Sequence, residues 1–267
     1  SQLIADPKDN PDDYGGENST AWKTAKKSYK EKLMKSVYAS YPDFFHFDIY
    51  SKKAKRKLDA KNDLYVYFYL HGMSLLNDKG SFCFVTSNSW LDVGYGKDLQ
   101  EFLLRKTPVK LIMDNQVKRS FRGADVNTVI CLFGTPTSNS IFTREETTNQ
   151  SPKVKFIMCY VPFSECLNPI LFKEIYEVDY SKRTSGYRVI TKEIEDLMKA
   201  GTDITKKDSI VSYRGDKWGG KFLRAPNIYF SIIEKGEFNY LNKYVTFETY
   251  LNTGGADDFF FVEIIGK

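Results

Sequence analysis

The sequence has few of the residues from which metal centres and hydrolytic sites are commonly built. It holds only two histidines, His46 and His71, and four cysteines without the paired spacing of zinc or redox motifs. We therefore expect no metal site and no Ser-His-Asp centre, and we interpret both histidines as structural. We expect the cysteines to be small buried hydrophobic residues in a reducing cytosol, which makes the predicted location cytoplasmic.

Other patterns are missing as well. No apolar run approaches the roughly 20 residues of a membrane-spanning helix, so we expect no membrane partner. Residues 1–8 lack the charged-then-apolar pattern of a signal peptide, and a chain that starts with Ser1 rather than Met is interpreted as a piece of a longer protein. The absence of Gly-x-Ser-x-Gly and of Gly-x-Gly-x-x-Gly after a strand disfavours a small-molecule hydrolase or dehydrogenase.

The composition is that of a globular protein. Of the 267 residues, 42% are hydrophobic and 27% are charged. This length allows one large core or two modest ones, and a change in sequence character after about residue 200 favours two units. The formal net charge of +5 permits a polyanionic partner without requiring one.

Hydrophobic periodicity predicts an α/β fold. We predict helices at 21–38, 63–76, 97–105, 191–199 and 227–235, with Thr191 capping the fourth. We predict strands at 81–87, 109–114, 126–133 and 153–161. Helix–strand units of this length favour a mainly parallel sheet with helices on its faces.

Basic residues cluster before the first predicted strand. The candidates for contact with DNA phosphates are Lys23, Lys26, Lys27, Lys30, Lys53, Lys55 and Arg56. Lysine and arginine clusters neutralise backbone phosphates, but they also form solvated faces of ordinary helices. Both interpretations remain open for these residues.

Several ordered segments resemble one family. They are 63–68 (DLYVYF), 80–91 (GSFCFVTSNSWL), 94–103 (GYGKDLQEFL) and 120–130 (SFRGADVNTVI). Together they resemble the second half of the catalytic domain of adenine-specific DNA methyltransferases of the fused, type IIG restriction–modification kind. The likeness extends to 217–226 (KWGGKFLRAP), and 252–261 (NTGGADDFFF) is similar to the opening of the family's target-recognition domain.

The resemblance implies the C-terminal half of a Rossmann-like methyltransferase domain, followed by the start of a mixed α+β target-recognition domain. We place the first at 1–205, with 1–62 as an inserted loop and basic helix, and the second at 206–267. The family transfers a methyl group from S-adenosylmethionine to the amino group of an adenine flipped out of double-stranded DNA. The family's glycine-rich cofactor loop and its Asn-Pro-Pro-Tyr turn are not in this sequence. We therefore expect an inactive fragment whose partner is the remainder of its own domain.

The same resemblance assigns candidate site residues. Phe121 would stack on the flipped adenine, and Tyr65 and Phe68 would form an aromatic wall for the cofactor. Asn88 and Trp90 directly follow a predicted strand, at the edge where open α/β sheets bind ligands, and are candidates for DNA contact. Each aromatic residue could instead be part of the core. A non-catalytic DNA-binding or specificity module remains the alternative function.

Overall fold

The computed structural model describes residues 7, 10–116, 127–137, 152–202 and 212–236. The chain divides into two compact units, 1–225 and 226–267. This division lies within the region where the sequence changes character, but 20 residues beyond the domain boundary predicted at 205/206. Where target recognition begins therefore stays a prediction.

The first segment is mainly helical. After a 3-10 turn at Pro11–Tyr14 come α1 (Thr20–Ser40), α2 (Pro42–Phe45) and a two-stranded hairpin of β1 (Phe47–Asp48) and β2 (Lys53–Ala54). The Ser19 hydroxyl caps α1 by accepting a hydrogen bond from the backbone N–H of Trp22 at 3.0 Å. Only Val37 and Tyr38 of α1 are buried, so most of this helix is open to solvent or to a partner.

The predicted elements between residues 63 and 134 are all confirmed. They are α3 (Leu64–Ser74), β3 (Ser81–Ser87), α4 (Gly96–Lys106), β4 (Val109–Asn115) and β5 (Thr128–Gly134). Asp63 caps α3 through its carboxylate, which accepts a hydrogen bond from the N–H of Leu64. A further 3-10 turn, Ser89–Leu91, connects β3 to the loop that precedes α4.

The next stretch contains more elements than the sequence pattern predicts. They are β6 (Lys153–Cys159), α5 (Phe163–Cys166), α6 (Pro169–Glu177), β7 (Lys182–Arg183), β8 (Tyr187–Glu193) and α7 (Ile194–Ala200). Thr191 does not cap a helix, because it lies in β8 opposite Lys155 of β6. The helix begins only at Ile194, since the apolar run before it is recruited by β6 through a pairing distant in sequence.

The main sheet is mixed. Its strand order is β3-β5-β4-β6-β8-β7, and β4–β6 is the one parallel pairing among these described strands. Because β5 lies antiparallel between β3 and β4, and β8 lies antiparallel between β6 and β7, the other four strands share one direction. The α/β class is confirmed. The prediction of a mainly parallel sheet holds for strand direction but not for neighbouring pairs, since antiparallel strands separate most of the parallel ones.

Helices cover both faces of this sheet. On one face the Tyr69 ring of α3 packs edge-on against Phe84, Trp90 and Phe133. On the other face Ile175 of α6 joins a buried cluster with Met113. Alternate residues of β4 and β6 point to opposite faces, so each strand contributes to both layers.

The cysteines differ from the prediction. Cys159 and Cys166 form a disulfide seven residues apart, whereas Cys131 is buried and free and Cys83 is exposed and free. The pair arises because α5 turns back over the end of β6, a proximity that sequence spacing does not reveal. None of the helices in the described ranges combines the length and apolar character that crossing a bilayer needs.

Two further helical elements follow α7 in the chain. A π-helical turn, Gly219–Arg224, ends the first unit, and α8 (Asn227–Lys235), predicted at 227–235, belongs to the second.

Candidate functional site

The carboxyl ends of β3 and β4 lie at the same end of the sheet, on either side of β5, because these two strands run in the same direction. Asn88 directly follows β3, and its amide Nδ2 lies 3.4 Å from Oδ2 of Asp114, near the end of β4. The backbone N–H of Asn88 donates to the carbonyl of Asn127 at 3.0 Å, which ties in the segment before β5. The structure thus brings a sequence-predicted residue, Asn88, into contact with an acidic residue at the ligand-binding edge.

The turn at Gly219–Arg224 closes over this edge. The Arg224 guanidinium pairs with Asp92, and its second nitrogen lies 4.0 Å from Asp114 Oδ2. The N–H of Gly220 donates to Asp92 Oδ1 at 2.8 Å. A Cβ at Gly219 would lie within 3 Å of the carboxylate of Asp92 and the guanidinium of Arg224, so a larger residue here would force this ion pair to move. We call Asn88, Asp92, Asp114 and Arg224 the strand-end cluster.

Asp114 is a buried carboxyl in this cluster. Burial raises its pKa, while the N–H of Asn115, the amide of Asn88 and the charge of Arg224 act in the opposite direction. A carboxyl with a raised pKa, next to an amide and a guanidinium, can orient a polar ligand group by hydrogen bonding. Within the described ranges, no three side chains of His, Cys, Asp or Glu gather as a metal site.

Sequence reasoning passed over Asp92, Asp114 and Arg224. Asp114 ends a predicted strand without a distinguishing motif, and Arg224 enters only through the 217–226 resemblance. The signal that could have found them was the pair of glycines at 219 and 220, which permits a close backbone contact. Its partner, Asp92, lies more than 120 residues away in the chain, and only the fold brings it there.

Trp90 packs in the core. Its ring is fully buried, with edge-on contacts to Trp218 and Tyr69. Its carbonyl accepts a hydrogen bond at 3.3 Å from the amide of Gln100, which is also buried. A direct DNA contact by Trp90 is therefore not supported by the structure, because no surface of its ring is open to a duplex.

Tyr65 and Phe68 lie on α3 but differ in environment. The hydroxyl of Tyr65 is 2.7 Å from that of Tyr95, and burial, the largest cause, raises its pKa further above the ordinary value. The Phe68 ring is 53% exposed and contributes little to the core. Phe68 is thus the freer of the two aromatic candidates, and the cofactor role of both stays a prediction.

Phe121 lies outside the described residues. The two described residues that flank its segment, Gln116 and Asn127, are hydrogen-bonded near the carboxyl ends of the strands. The Gln116 N–H donates to the Cys159 carbonyl at 2.9 Å, and the Asn127 carbonyl accepts from the Asn88 N–H. The role of Phe121 stays a prediction.

The basic candidates divide into exposed and engaged residues. Those with exposed side chains are Lys23, Lys27, Lys53 and Lys55. Lys26 Nζ lies 3.1 Å from the centroid of the Trp22 ring, and Lys30 Nζ donates to the Ala60 carbonyl at 2.6 Å. Arg56 forms an ion pair with Glu101 at 3.0 Å and stacks on Phe44, so its first role is structural.

Strand β3 forms one edge of the described sheet. It is seven residues long and apolar, yet Cys83 is exposed and Val85 is 41% exposed. Phe82 and Phe84 are only half-buried. Edge strands of this length and apolarity are normally covered or paired, so this edge is suited to receive a further strand.

One family profile matches part of the chain. Residues 22–121 match the profile of the family described as Eco57I restriction-modification methylase. No curated protein sequence matches the chain.

Three solved structures that align with part of the chain are proteins of restriction systems. The type IIG restriction endonuclease BpuSI aligns with a TM-score of 0.40 and 12% identity over 63% of this chain and 17% of its own. A chain of a type I R-M system aligns at 0.36 and 15% over 66% of this chain and 37% of its own. The M protein of the type I restriction enzyme EcoKI aligns at 0.33 and 16% over 60% of this chain and 36% of its own. The chain thus spans well under half the length of each.

Proposed function

We propose that the chain, whose residues 22–121 match the profile of the Eco57I restriction-modification methylase family, is part of an adenine-specific DNA methyltransferase of a restriction–modification system. The parent enzyme would act in the cytoplasm. It would transfer a methyl group from S-adenosylmethionine to the exocyclic amino group of an adenine flipped out of double-stranded DNA. The observation that carries the proposal is the extent of the match, which runs from α1 through β4 and includes Tyr65, Phe68, Asn88 and Phe121.

The exposed ring of Phe68 fits an aromatic contact with the cofactor. S-adenosylmethionine supplies the methyl group when bound, and its adenine ring needs an apolar wall. Phe68 offers such a wall, and Tyr65, oriented by Tyr95, stands one helical turn before it. We propose that these residues hold the cofactor's adenine together with segments outside this chain.

Phe121 is the proposed stacking partner of the flipped adenine. A base removed from the duplex loses its stacking neighbours, and an aromatic side chain restores about 1–3 kcal/mol per base. Support comes from the flanking residues, because both ends of the Phe121 segment are held at the edge that carries Asn88 and Asp114.

The uncovered edge of β3 is the proposed contact with the remainder of the methyltransferase domain. An added strand would satisfy the free backbone groups of β3 and cover Val85 and Cys83. Without that half, the chain is expected to be inactive.

The test is complementation. The 267-residue chain is co-expressed with the polypeptide encoded immediately upstream in its parent gene, and tritiated methyl transfer from S-adenosylmethionine to duplex DNA is measured. We expect no transfer by either part alone and N6-methyladenine when both are present. Methylation by this chain alone, or a methylated cytosine as product, would contradict the proposal.

Variants of the complemented enzyme separate the two aromatic roles. Phe121→Ala should lower methylation about 5-fold to 150-fold, which corresponds to about 1–3 kcal/mol of stacking, while Phe121→Tyr retains most of it. Phe68→Ala should weaken cofactor binding measured by calorimetry. Leu75→Ala, an exposed residue just after the same helix, serves as its control.

A second candidate function, a non-catalytic DNA-binding module, is favoured by the exposed lysines. Lys23, Lys27, Lys53 and Lys55 leave their charges to solvent. Duplex binding that weakens with rising salt and does not respond to S-adenosylmethionine, in the complemented protein as well, would favour this alternative. Binding that is insensitive to salt would exclude it.

A further inference from the structure

A cleft separates α1 from the start of α3. It encloses about 600 Å³, within the range of about 300–1,000 Å³ of small-molecule sites. Lys26, Lys30 and Leu33 line it from one face of α1, as their spacing of three and four residues requires. Asn62 and Tyr67 line it from the side of α3. The cleft is therefore a formed concavity, too large for a single ion.

Two buried polar groups in this cleft have no partner. Asn62 is 3% exposed and Tyr67 is 4% exposed. Among the described residues, neither Asn62 Oδ1 nor the Tyr67 hydroxyl has a hydrogen-bond partner. The Asn62 amide nitrogen also lacks a hydrogen-bond partner among these residues, so the Asn62 side chain can both donate and accept. Buried polar atoms are nearly always paired, so a ligand that both donates and accepts hydrogen bonds would complement these two side chains.

Tyr67 keeps its proton at neutral pH. Burial raises its pKa to about 12, with smaller contributions from Tyr38, Asp98 and Asp59. Its hydroxyl can therefore donate to a ring nitrogen or accept from an amino group. An amide and a hydroxyl together provide donors and acceptors for the edge of a nitrogen heterocycle, which offers both side by side.

The rim of the cleft is positive. Four lysines, Lys26, Lys27, Lys30 and Lys61, are among the residues that line it, against two acidic residues, Glu31 and Asp63. Lys30 is held at the mouth by its hydrogen bond to the Ala60 carbonyl, and Tyr95 adds an aromatic wall. An anionic group would pair with the lysines of the cleft, and a flat heterocycle would hydrogen-bond to Asn62 and Tyr67.

We propose that the cleft between α1 and α3 binds a nucleotide, with its phosphate against Lys26 and Lys30 and its base against Asn62 and Tyr67. The site differs from the proposed cofactor wall, because Tyr65 and Phe68 are not among its lining residues, although Tyr95, whose hydroxyl contacts that of Tyr65, is one of them. The same chemistry is offered by a free nucleotide and by an unpaired nucleotide of a DNA strand.

The experiment measures binding of AMP to the full chain by calorimetry, with adenosine and inorganic phosphate as partial probes. AMP should bind more tightly than either part. Tyr67→Phe and Lys30→Gln should each weaken AMP binding about tenfold, or about 1.4 kcal/mol. Two matched controls should leave it unchanged: Tyr69→Phe, whose hydroxyl is bonded to Thr86, and Lys32→Gln, an exposed lysine of α1 outside the cleft.

The outcomes separate the two sources. Displacement of AMP by a short single-stranded oligonucleotide, weakened by the same two variants, assigns the site to a DNA strand, and displacement by free nucleotides alone assigns it to those. The proposal is overturned if AMP does not bind, if phosphate alone reproduces its affinity, or if Lys32→Gln weakens binding as much as Lys30→Gln. Loss of methylation with intact AMP binding would affect only the methyltransferase proposal.

Discussion

The strand-end cluster and the cleft between α1 and α3 both contain buried polar groups, but only the groups of the cluster have hydrogen-bond or ion-pair partners. In the cluster, Asp92 and Asp114 are bonded to Arg224, to Asn88 or to backbone N–H groups. In the cleft, Asn62 Oδ1 and the Tyr67 hydroxyl have no partner in the described part of the chain. A satisfied network holds segments of the fold together, whereas an unsatisfied group leaves free energy to be gained by a ligand.

The two regions also differ in what surrounds them. Two fully buried tryptophans, Trp90 and Trp218, pack directly below the cluster. The cleft is bounded on one side by the part of α1 that buries no residue before Val37. We therefore expect substitutions near the cluster to act mainly on stability, and substitutions in the cleft to act mainly on binding.

The largest expected effect comes from removing the packing under the cluster. Trp218→Ala should lower the free energy of unfolding by about 3–5 kcal/mol, because it empties a fully buried site in contact with Trp90 and Phe156. Urea denaturation followed by circular dichroism measures this change. Tyr50→Ala, at a residue 98% exposed, is the control and should change little.

A pair of tyrosines on α3 tests the contrast directly. Tyr69→Phe should cost about 1 kcal/mol, because it removes the 2.8 Å hydrogen bond between two buried hydroxyls and leaves that of Thr86 with only its 3.3 Å bond to the Ser87 carbonyl. Tyr67→Phe should be neutral or stabilising, since it removes a hydroxyl that has no partner. Equal losses of stability in the two variants would break the comparison.

Asp92 tests how much the cluster itself contributes. Asp92→Ala removes the acceptor of the Gly220 N–H and the partner of Arg224. Arg224 is partly exposed, so we expect a loss of only about 1 kcal/mol in the free energy of unfolding. Glu177→Ala, which breaks the exposed ion pair with Lys173, should lower the free energy of unfolding less than Asp92→Ala does. A larger loss for Glu177→Ala would show that the Asp92 contacts do not stabilise the fold more than an exposed ion pair does.

The smallest expected effect is a pH dependence of Asp114. Burial raises its pKa in the folded state, so the folded protein holds this proton more tightly than the unfolded chain does. Stability from this group is therefore present below the ordinary aspartate pKa and is lost as the pH rises through the raised value. Asp114→Asn should flatten that decline in urea-unfolding measurements at several pH values. A parent protein whose stability rises through this range more steeply than that of the variant would contradict the assignment.

Sequence reasoning performed well where a pattern is local. The elements from Leu64 to Gly134 follow from periodicity and capping. Most of the segments that resemble the methyltransferase family lie in the same range. It failed at Thr191, which was predicted to cap a helix at 191–199 but lies in β8, paired with β6. It also failed for Cys159 and Cys166, whose proximity depends on how α5 folds back.

The sequence by itself determined the α/β class, the helices and strands that surround Tyr65 and Asn88, and the family to which residues 22–121 are similar, because these depend on short-range periodicity and ordered motifs. Only the tertiary structure decided that Trp90 is buried, that Asp92 meets Arg224, and that Asn62 and Tyr67 face a cleft. Those facts depend on contacts between segments far apart in the chain, which the pattern of any one segment does not contain.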